Sequence, residues 1–382
     1  MIFSRTELLL GTAVMEKLYT NTHTTMKHIR KISIALTFLF SLIASANDGV
    51  YYASGGPLIP IHETDISVAK EILTISLCDD GLARVDVQYE FINHGAAKTV
   101  DMGFEAANPY NSDDDGVNPT GGHPYIYDFM VEMNGMKLPY RNAVVEPGEL
   151  ETPYQGPKDE NEEFEQFSYA YLFKAPFKEG MNKVHHTYSY NMSYGVGRTF
   201  EVLYWLTPAA RWKGGTIGDF TLRIRAEKTA KHFLVNDSVL NLAECHIVEG
   251  VGKKRHTQYS WGDEMLEVAL RNGTAEWHIT DFRPEADLVI MSADTFCSFD
   301  ADSQTGFFYD RSEQFHFWRE MDEKIPDHIA RNLPYAHRGY VFKKKELRDY
   351  FSQFFWYMPD PSYVPSTDDF TPREWRLIKE HK

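Results

Sequence analysis

The residues best placed to do chemistry lie near the C-terminus, in Tyr335-Ala336-His337-Arg338-Gly339 and in Trp356-Tyr357. Tyr335, His337, Arg338, Trp356 and Tyr357 combine hydrogen-bond donors, a cationic fork and large ring faces, the composition of a ligand patch. The same side chains could instead close a small domain. Gly339 behind a helical segment suits a left-handed C-cap, and Arg338 or His337 can bond the last carbonyls of that helix. Both roles are open on sequence grounds. Asn111-Ser112-Asp113-Asp114-Asp115-Gly116 begins like a calcium loop, with Asn111, Asp113 and Asp115 at alternate positions and glycine sixth. Its twelfth position is Gly122, not a bidentate glutamate. A solvated turn is therefore the plainer reading, and calcium the one cofactor left open.

His185 and His186 are neighbours in an alternating stretch and must point to opposite faces, so they do not share a metal; a packed imidazole is expected. The chain has no His-Glu-x-x-His, no Gly-x-Ser-x-Gly, no Gly-Lys-Ser/Thr loop and no paired-cysteine metal signature. No catalytic residue is assigned. With 55 acidic residues, a carboxylate pair hydrolysing envelope glycan or peptide stays as an alternative, because the separation of two carboxyls is a property of the fold. Cys78, Cys245 and Cys297 would permit one disulfide, but an unpaired cysteine behaves as a small hydrophobe and buried single thiols are expected.

The elements that must position these groups are mostly strands. Residues 83–91 alternate apolar and polar, and Leu73, Ile75 and Leu77 do the same before the turn Asp79-Asp80-Gly81, which predicts a hairpin. Asn134-Gly135 between two apolar runs predicts a second. Further strands are expected over 184–194, 220–226, 264–270, 275–280 and 286–291. Many short strands separated by turn residues predict a mainly β, antiparallel fold of one or two β-sandwich-like domains over residues 47–305. The acidic, proline-containing stretch 146–166 reads as an exposed excursion. Residues 306–382 read as a small helical module. An amphipathic helix over 343–354 carries Leu347, Tyr350, Phe351 and Phe354 on one stripe, and Thr371-Pro372-Arg373-Glu374 is a capping box that starts a closing helix.

Residues 26–46 have the order of a secretory signal: basic Met26 to Lys31, an apolar core from Ile32 to Ile43, then Ala44-Ser45-Ala46. Residues 1–25 precede this start and read as an upstream mis-start. Without residues 1–46, which hold five Lys/Arg and two Asp/Glu, the formal charge moves from −16 to −19. Such a surface repels nucleic acid and anionic lipid, and no later segment approaches membrane-spanning length.

Arg331-Asn332, Tyr335-Ala336, Gly339-Tyr340-Val341-Phe342, Glu346-Leu347, Tyr350-Phe351 and Trp356-Tyr357 resemble the YARHG family in order and spacing, with the His337-Arg338 pair transposed. That resemblance implies a bacterial module of extracytoplasmic proteins and no assigned activity. The β region more weakly resembles a bacterial domain of unknown function found ahead of such modules, through Asn47-Asp48, Gly55-Gly56, Trp212 and Gly218-Asp219. The expectation is an exported, periplasmic or extracellular, non-catalytic binding protein of the bacterial envelope, with a glycan or protein partner.

Overall fold

Most of the alternating strands form two large sheets that share one core. The computed structural model describes residues 55–62, 65–107, 109, 122–146, 149–153, 168–195, 198–236, 244–258, 264–293, 298–300, 305–307 and 326–380, all within the unit Val50–Lys382. The strands begin with β1 (Ile59–Pro60), β2 (Ile66–Leu77), β3 (Leu82–Asn93), β4 (Lys98–Ala107), β5 (Ile126–Met133) and β6 (Met136–Lys137). They continue with β7 (Tyr140–Glu146), β8 (Glu149–Pro153), β9 (Ser168–Phe177), β10 (Gly180–Asn191), β11 (Ser193–Gly195) and β12 (Arg198–Tyr204). The rest are β13 (Ile217–Ala226), β14 (Lys231–Asn236), β15 (His246–Gln258), β16 (Glu264–Phe282), β17 (Leu288–Ser292), β18 (Ser298–Asp300) and β19 (Thr305–Phe307).

The larger sheet runs β11-β12-β17-β14-β16-β13-β2-β3-β10-β5-β6, with β15 also on β16; the smaller runs β1-β4-β9-β7-β8. Among the described residues β18 and β19 pair only with each other. Among the described strands every ladder is antiparallel except β13 with β2, which is parallel (Leu222 opposite Leu73); an isolated parallel bridge joins Gly55 to Tyr204. The β2–β3 hairpin turns at Gly81, whose φ of 84° needs no Cβ penalty. The β5–β6 turn has Asn134 at φ 51° and Gly135 at 83°, the positive pair a type I′ hairpin requires.

A bulge at Ala69 sets which side chains of β2 face inward. Val68 opposes Phe91 while Lys70 opposes Glu90, so Ala69 is the extra residue. Ile66 and Val68 are buried before it; Glu71, Leu73, Ile75 and Leu77 are buried after it. Gly218 of β13 lies beside the bulge, where a Cβ would come within 2.8 Å of the Ala69 carbonyl oxygen. The strands expected over 264–270 and 275–280 are one continuous 19-residue strand, β16, because Asn272 at φ 45° absorbs the irregularity without ending the ladder. The stretch 146–166 lies between β7 and β9, which pair with each other (Asn142 opposite Tyr171); of it, residues 154–167 fall outside the described residues.

Among the described residues the C-terminal segment has four short α-helices: α1 (Asp327–Ala330), α2 (Leu333–His337), α3 (Lys345–Phe351) and α4 (Pro372–Glu380). The helix expected over 343–354 is confined to α3; Leu347 and Phe351 are buried, and Phe354 follows in a turn. Alternate residues of β16 serve two cores. Leu266, Val268 and Leu270 join the main β core, and Ala269 joins the core of the helical segment with Phe342, Phe351, Trp356 and Tyr357. Burial of each such large side chain contributes about 1.5–3 kcal/mol.

Candidate functional site

Two places in the β region gather polar side chains. On the outer face of β2, β3 and β10 is a groove of about 550 Å³ lined by Lys70, Gln88, Glu90, Glu132, Asn134, Lys178, Lys183 and His185, among others. Both signs of charge meet there. Lys183 pairs with Glu90 at 3.2 Å, and Lys70 with Asp219 at 3.2 Å. At the groove edge His185 Nε2 lies 2.8 Å from Asp86 Oδ2.

The inner face of the same strands holds the second. Glu71 is fully buried, and neither carboxyl oxygen has a hydrogen-bond partner. Desolvation pushes its pKa up to about 8. Tyr89 sits opposite it in register, and the Tyr89 hydroxyl accepts from the Leu58 amide at 3.3 Å. The Tyr89 ring stacks on His186 at 6.0 Å, and His186 contacts Tyr188 at 5.6 Å. Both nitrogens of His186 and the hydroxyl of Tyr188 are buried and unpartnered, whereas the buried Tyr204 hydroxyl has Tyr89 as a side-chain partner. Burial pushes the His186 pKa down to about 3 and those of Tyr89, Tyr188 and Tyr204 well above the usual range; charge on Glu71 adds to the rise at Tyr89 and Tyr204. The cluster closes through Gly55, which bridges Tyr204 and leaves no room for a Cβ beside the Tyr188 hydroxyl. Each unpaired buried polar group costs about 1–3 kcal/mol. A protein whose net stability is only about 5–15 kcal/mol carries three such side chains here, Glu71, His186 and Tyr188.

In the helical segment, α2 ends in a Schellman motif. Tyr340 N bonds Tyr335 O at 3.0 Å, Gly339 N bonds Ala336 O at 2.9 Å, and Gly339 has φ 81°. Arg338 is buried and faces inward. Its guanidinium makes a bidentate pair with Glu374 of α4 (2.7 and 2.9 Å), donates to Pro334 O (2.9 Å) and Asp369 O (2.6 Å), and lies 4.8 Å from the Phe370 ring centroid. Glu374 also closes the capping box of α4, accepting from Thr371 N at 2.8 Å while Thr371 Oγ1 accepts from Glu374 N at 3.2 Å. His337 packs edge-on against Trp356 at 4.7 Å, and burial lowers its pKa to about 4. Tyr357 donates to Tyr340 O at 2.7 Å. Residues 324–382 match the YARHG domain.

No curated protein matches the chain. Its fold is similar to a solved protein of Legionella pneumophila described as a candidate nutrient binding protein, over 88% of this chain and 100% of that one, at 21% identity and a TM-score of 0.52. At this identity the likeness shows the fold. An M1 zinc metallopeptidase of Deinococcus radiodurans aligns over 60% of this chain and 42% of its own, at 9% identity and a TM-score of 0.21. An aminopeptidase N family protein of Idiomarina loihiensis aligns over 58% and 29%, at 11% and 0.24. The last two likenesses carry no functional reading.

The YARHG domain is bonded to the β region through the outer face of β16 and its neighbours. Ala230 N donates to His337 O (2.9 Å), Lys253 Nζ to Tyr357 O (3.0 Å) and Arg271 Nη2 to Met358 O (3.1 Å). Beside these, buried Glu267 accepts from Arg255 (2.5 and 3.0 Å) and lies 2.8 Å from His232, while Arg255 and His232 both meet the Phe355 ring, at 4.4 and 5.6 Å. The structure brings Tyr335, His337, Arg338, Trp356 and Tyr357 together in the domain interior: Arg338, Trp356 and Tyr357 are buried, and Tyr335 packs on Phe370 at 4.8 Å. Asn111, Asp113, Asp115 and Cys297 lie outside the described residues, and Cys78 and Cys245 are buried free thiols. Sequence reasoning missed Glu71. Its signal was parity, since it falls in step with Leu73, Ile75 and Leu77.

Proposed function

We propose that the protein is an exported, non-catalytic binding protein of the bacterial envelope. In this reading the outer groove on β2, β3 and β10 receives a small zwitterionic ligand, of the amino acid or short peptide class. The observation that carries it is the groove itself: about 550 Å³, within the range of small-molecule sites, with Lys70, Lys178 and Lys183 facing Glu90 and Glu132. The lysines suit a carboxylate and the glutamates an ammonium group. In a chain of net charge −16, a patch with more lysines than carboxylates favours binding of the acid end. The description of the similar Legionella protein as a candidate nutrient binding protein accords with this reading. The YARHG domain supports export in the same way, because its resemblance is to a module of extracytoplasmic proteins. In this reading it serves as a bracket on the β region, since its motif side chains are engaged internally.

The test is calorimetric titration of the full chain with single amino acids and dipeptides, repeated for Lys183→Ala and Glu132→Ala. Binding weakened tenfold or more by either change supports the groove. Binding that both variants leave intact, or no binding of any member of the class, overturns it.

A further inference from the structure

We infer that the outer face of the smaller sheet carries a second binding site, for an organic monocarboxylate with an apolar body and no amino group. The site is a groove of about 590 Å³ whose lining includes Ile61, Asp101, Tyr140, Arg141, Leu172 and Lys174. Alternation along β9 builds its floor. Tyr171, Phe173 and Ala175 join the core shared by the two sheets, so Leu172 and Lys174 point the other way. Leu172 is nonetheless buried, in a separate apolar cluster with Ile59, Val145 and Ala170, against which Ile61 packs. Gly103 of β4 stands opposite both Ile59 and Leu172 in register, and its missing side chain leaves a hollow between them.

The charges around that floor select the ligand. Lys174 stands opposite Asp101 and pairs with it at 2.7 Å, so these two charges cancel. Arg141 of β7 stands opposite Leu172, diagonal to Lys174, and among the described residues its guanidinium has no ion pair or hydrogen bond. An unbalanced guanidinium beside an apolar floor suits a carboxylate, which its fork binds through two parallel hydrogen bonds. Ile61, Leu172 and the part-exposed Tyr140 ring offer apolar surface to the rest of the ligand, and Phe129 holds that ring edge-on at 4.9 Å. Few hydrogen-bonding side chains line the groove, which disfavours a polyhydroxylated body.

The same charges reject an amine. Asp101 is the only carboxylate in the described lining and Lys174 already occupies it, so a ligand ammonium would be desolvated beside Arg141 without a partner. The groove on β2, β3 and β10 differs on this point, because lysines and glutamates both line it. The two grooves lie on different sheets, so binding to each is read with its own variants.

The experiment is calorimetric titration of the full chain with octanoate and phenylacetate, alongside acetate and phenylacetamide. Binding of octanoate or phenylacetate supports the site, and the tighter of the two tells an alkyl body from a ring. Acetate lacks the body and phenylacetamide the charge, so each should bind at least about tenfold more weakly. Arg141 is exposed, so Arg141→Gln should fold, and it should weaken binding by about tenfold or more. Lys183→Ala, in the other groove, should leave binding unchanged, and excess phenylalanine should not displace either acid. The site is overturned if neither acid binds, if acetate or phenylacetamide binds as tightly, or if Arg141→Gln leaves binding intact. Equal weakening by Lys183→Ala, or displacement by phenylalanine, overturns it as well.

Discussion

Replacing Arg338 by alanine removes the bracket between α2 and α4. Lost together are the two bonds to Glu374, those to Pro334 O and Asp369 O, and the contact with Phe370. Removing one partner of a buried pair costs about 3–5 kcal/mol. Glu374 is not fully stranded, since its side chain is 20% exposed and it keeps the Thr371 amide, so the lower end applies, about 3 kcal/mol. Glu374→Gln retains an acceptor for the cap and loses the charge, which should cost about 1.5–3 kcal/mol, the worth of a charged hydrogen bond. Because both changes break the same pair, the double variant should cost less than the sum, by about 1.5 kcal/mol or more. Denaturant unfolding followed by amide exchange of residues 326–380 reads all four members of the cycle. Arg338→Lys should recover less than half, because an ammonium cannot make the bidentate fork. A coupling below about 0.5 kcal/mol would show that the pair is incidental and that the bracket argument fails.

Three further outcomes follow from the buried groups. Glu71 has a folded pKa raised from 4.5 to about 8, so its protonated form stabilises the fold below pH 4.5 and that contribution drains away as pH rises through 8, by up to about 5 kcal/mol. Wild type measured from pH 5 to 8 should lose stability that Glu71→Gln keeps; parallel profiles would refute this. His337 has a folded pKa lowered to about 4, so its contribution is present above 6.5 and lost as pH falls through 4; amide protection in residues 326–380 should drop over that window and hold in His337→Phe. Gly339→Ala forces a Cβ at φ 81° and within 2.6 Å of Met358 O; it should destabilise by at least about 1–2 kcal/mol, read from the denaturation midpoint.

The hairpins of β2–β3 and β5–β6 were legible because alternation and turn chemistry agree at Gly81 and Asn134-Gly135. The capping box at Thr371 and the C-cap at Gly339 were legible for the same reason, being local. The bulge at Ala69 was not, because nothing in its own side chain marks it; what holds it is Gly218, some 150 positions away in sequence and adjacent only once β13 lies beside β2. β16 looks like two strands in the sequence because Arg271-Asn272-Gly273-Thr274 interrupts the apolar runs, and only its pairing on both sides keeps it continuous. β15 is not legible in the sequence because Lys253, Lys254 and Arg255 break the alternation, although two of them meet the YARHG domain. Arg338 was recognised as able to bond the carbonyls at the end of its helix, and Pro334 O is one of them. Its partner Glu374, 36 residues on, required the fold.

The parallel register of β13 on β2 has a kinetic consequence. β2 holds half its ladder with β3, a few residues away, but the other half must wait for a strand roughly 150 residues later. Closing so long a loop precedes the contacts that reward it, and such topologies fold slowly. A nascent chain of this protein therefore cannot join β2 to the second half of its large sheet until β13 has been synthesised, nor complete that sheet until β17 has. Until then the edge of β2 that pairs with β13 stays open to water. That delay leaves the first hairpins of the large sheet with one unpaired edge for as long as β13 is absent.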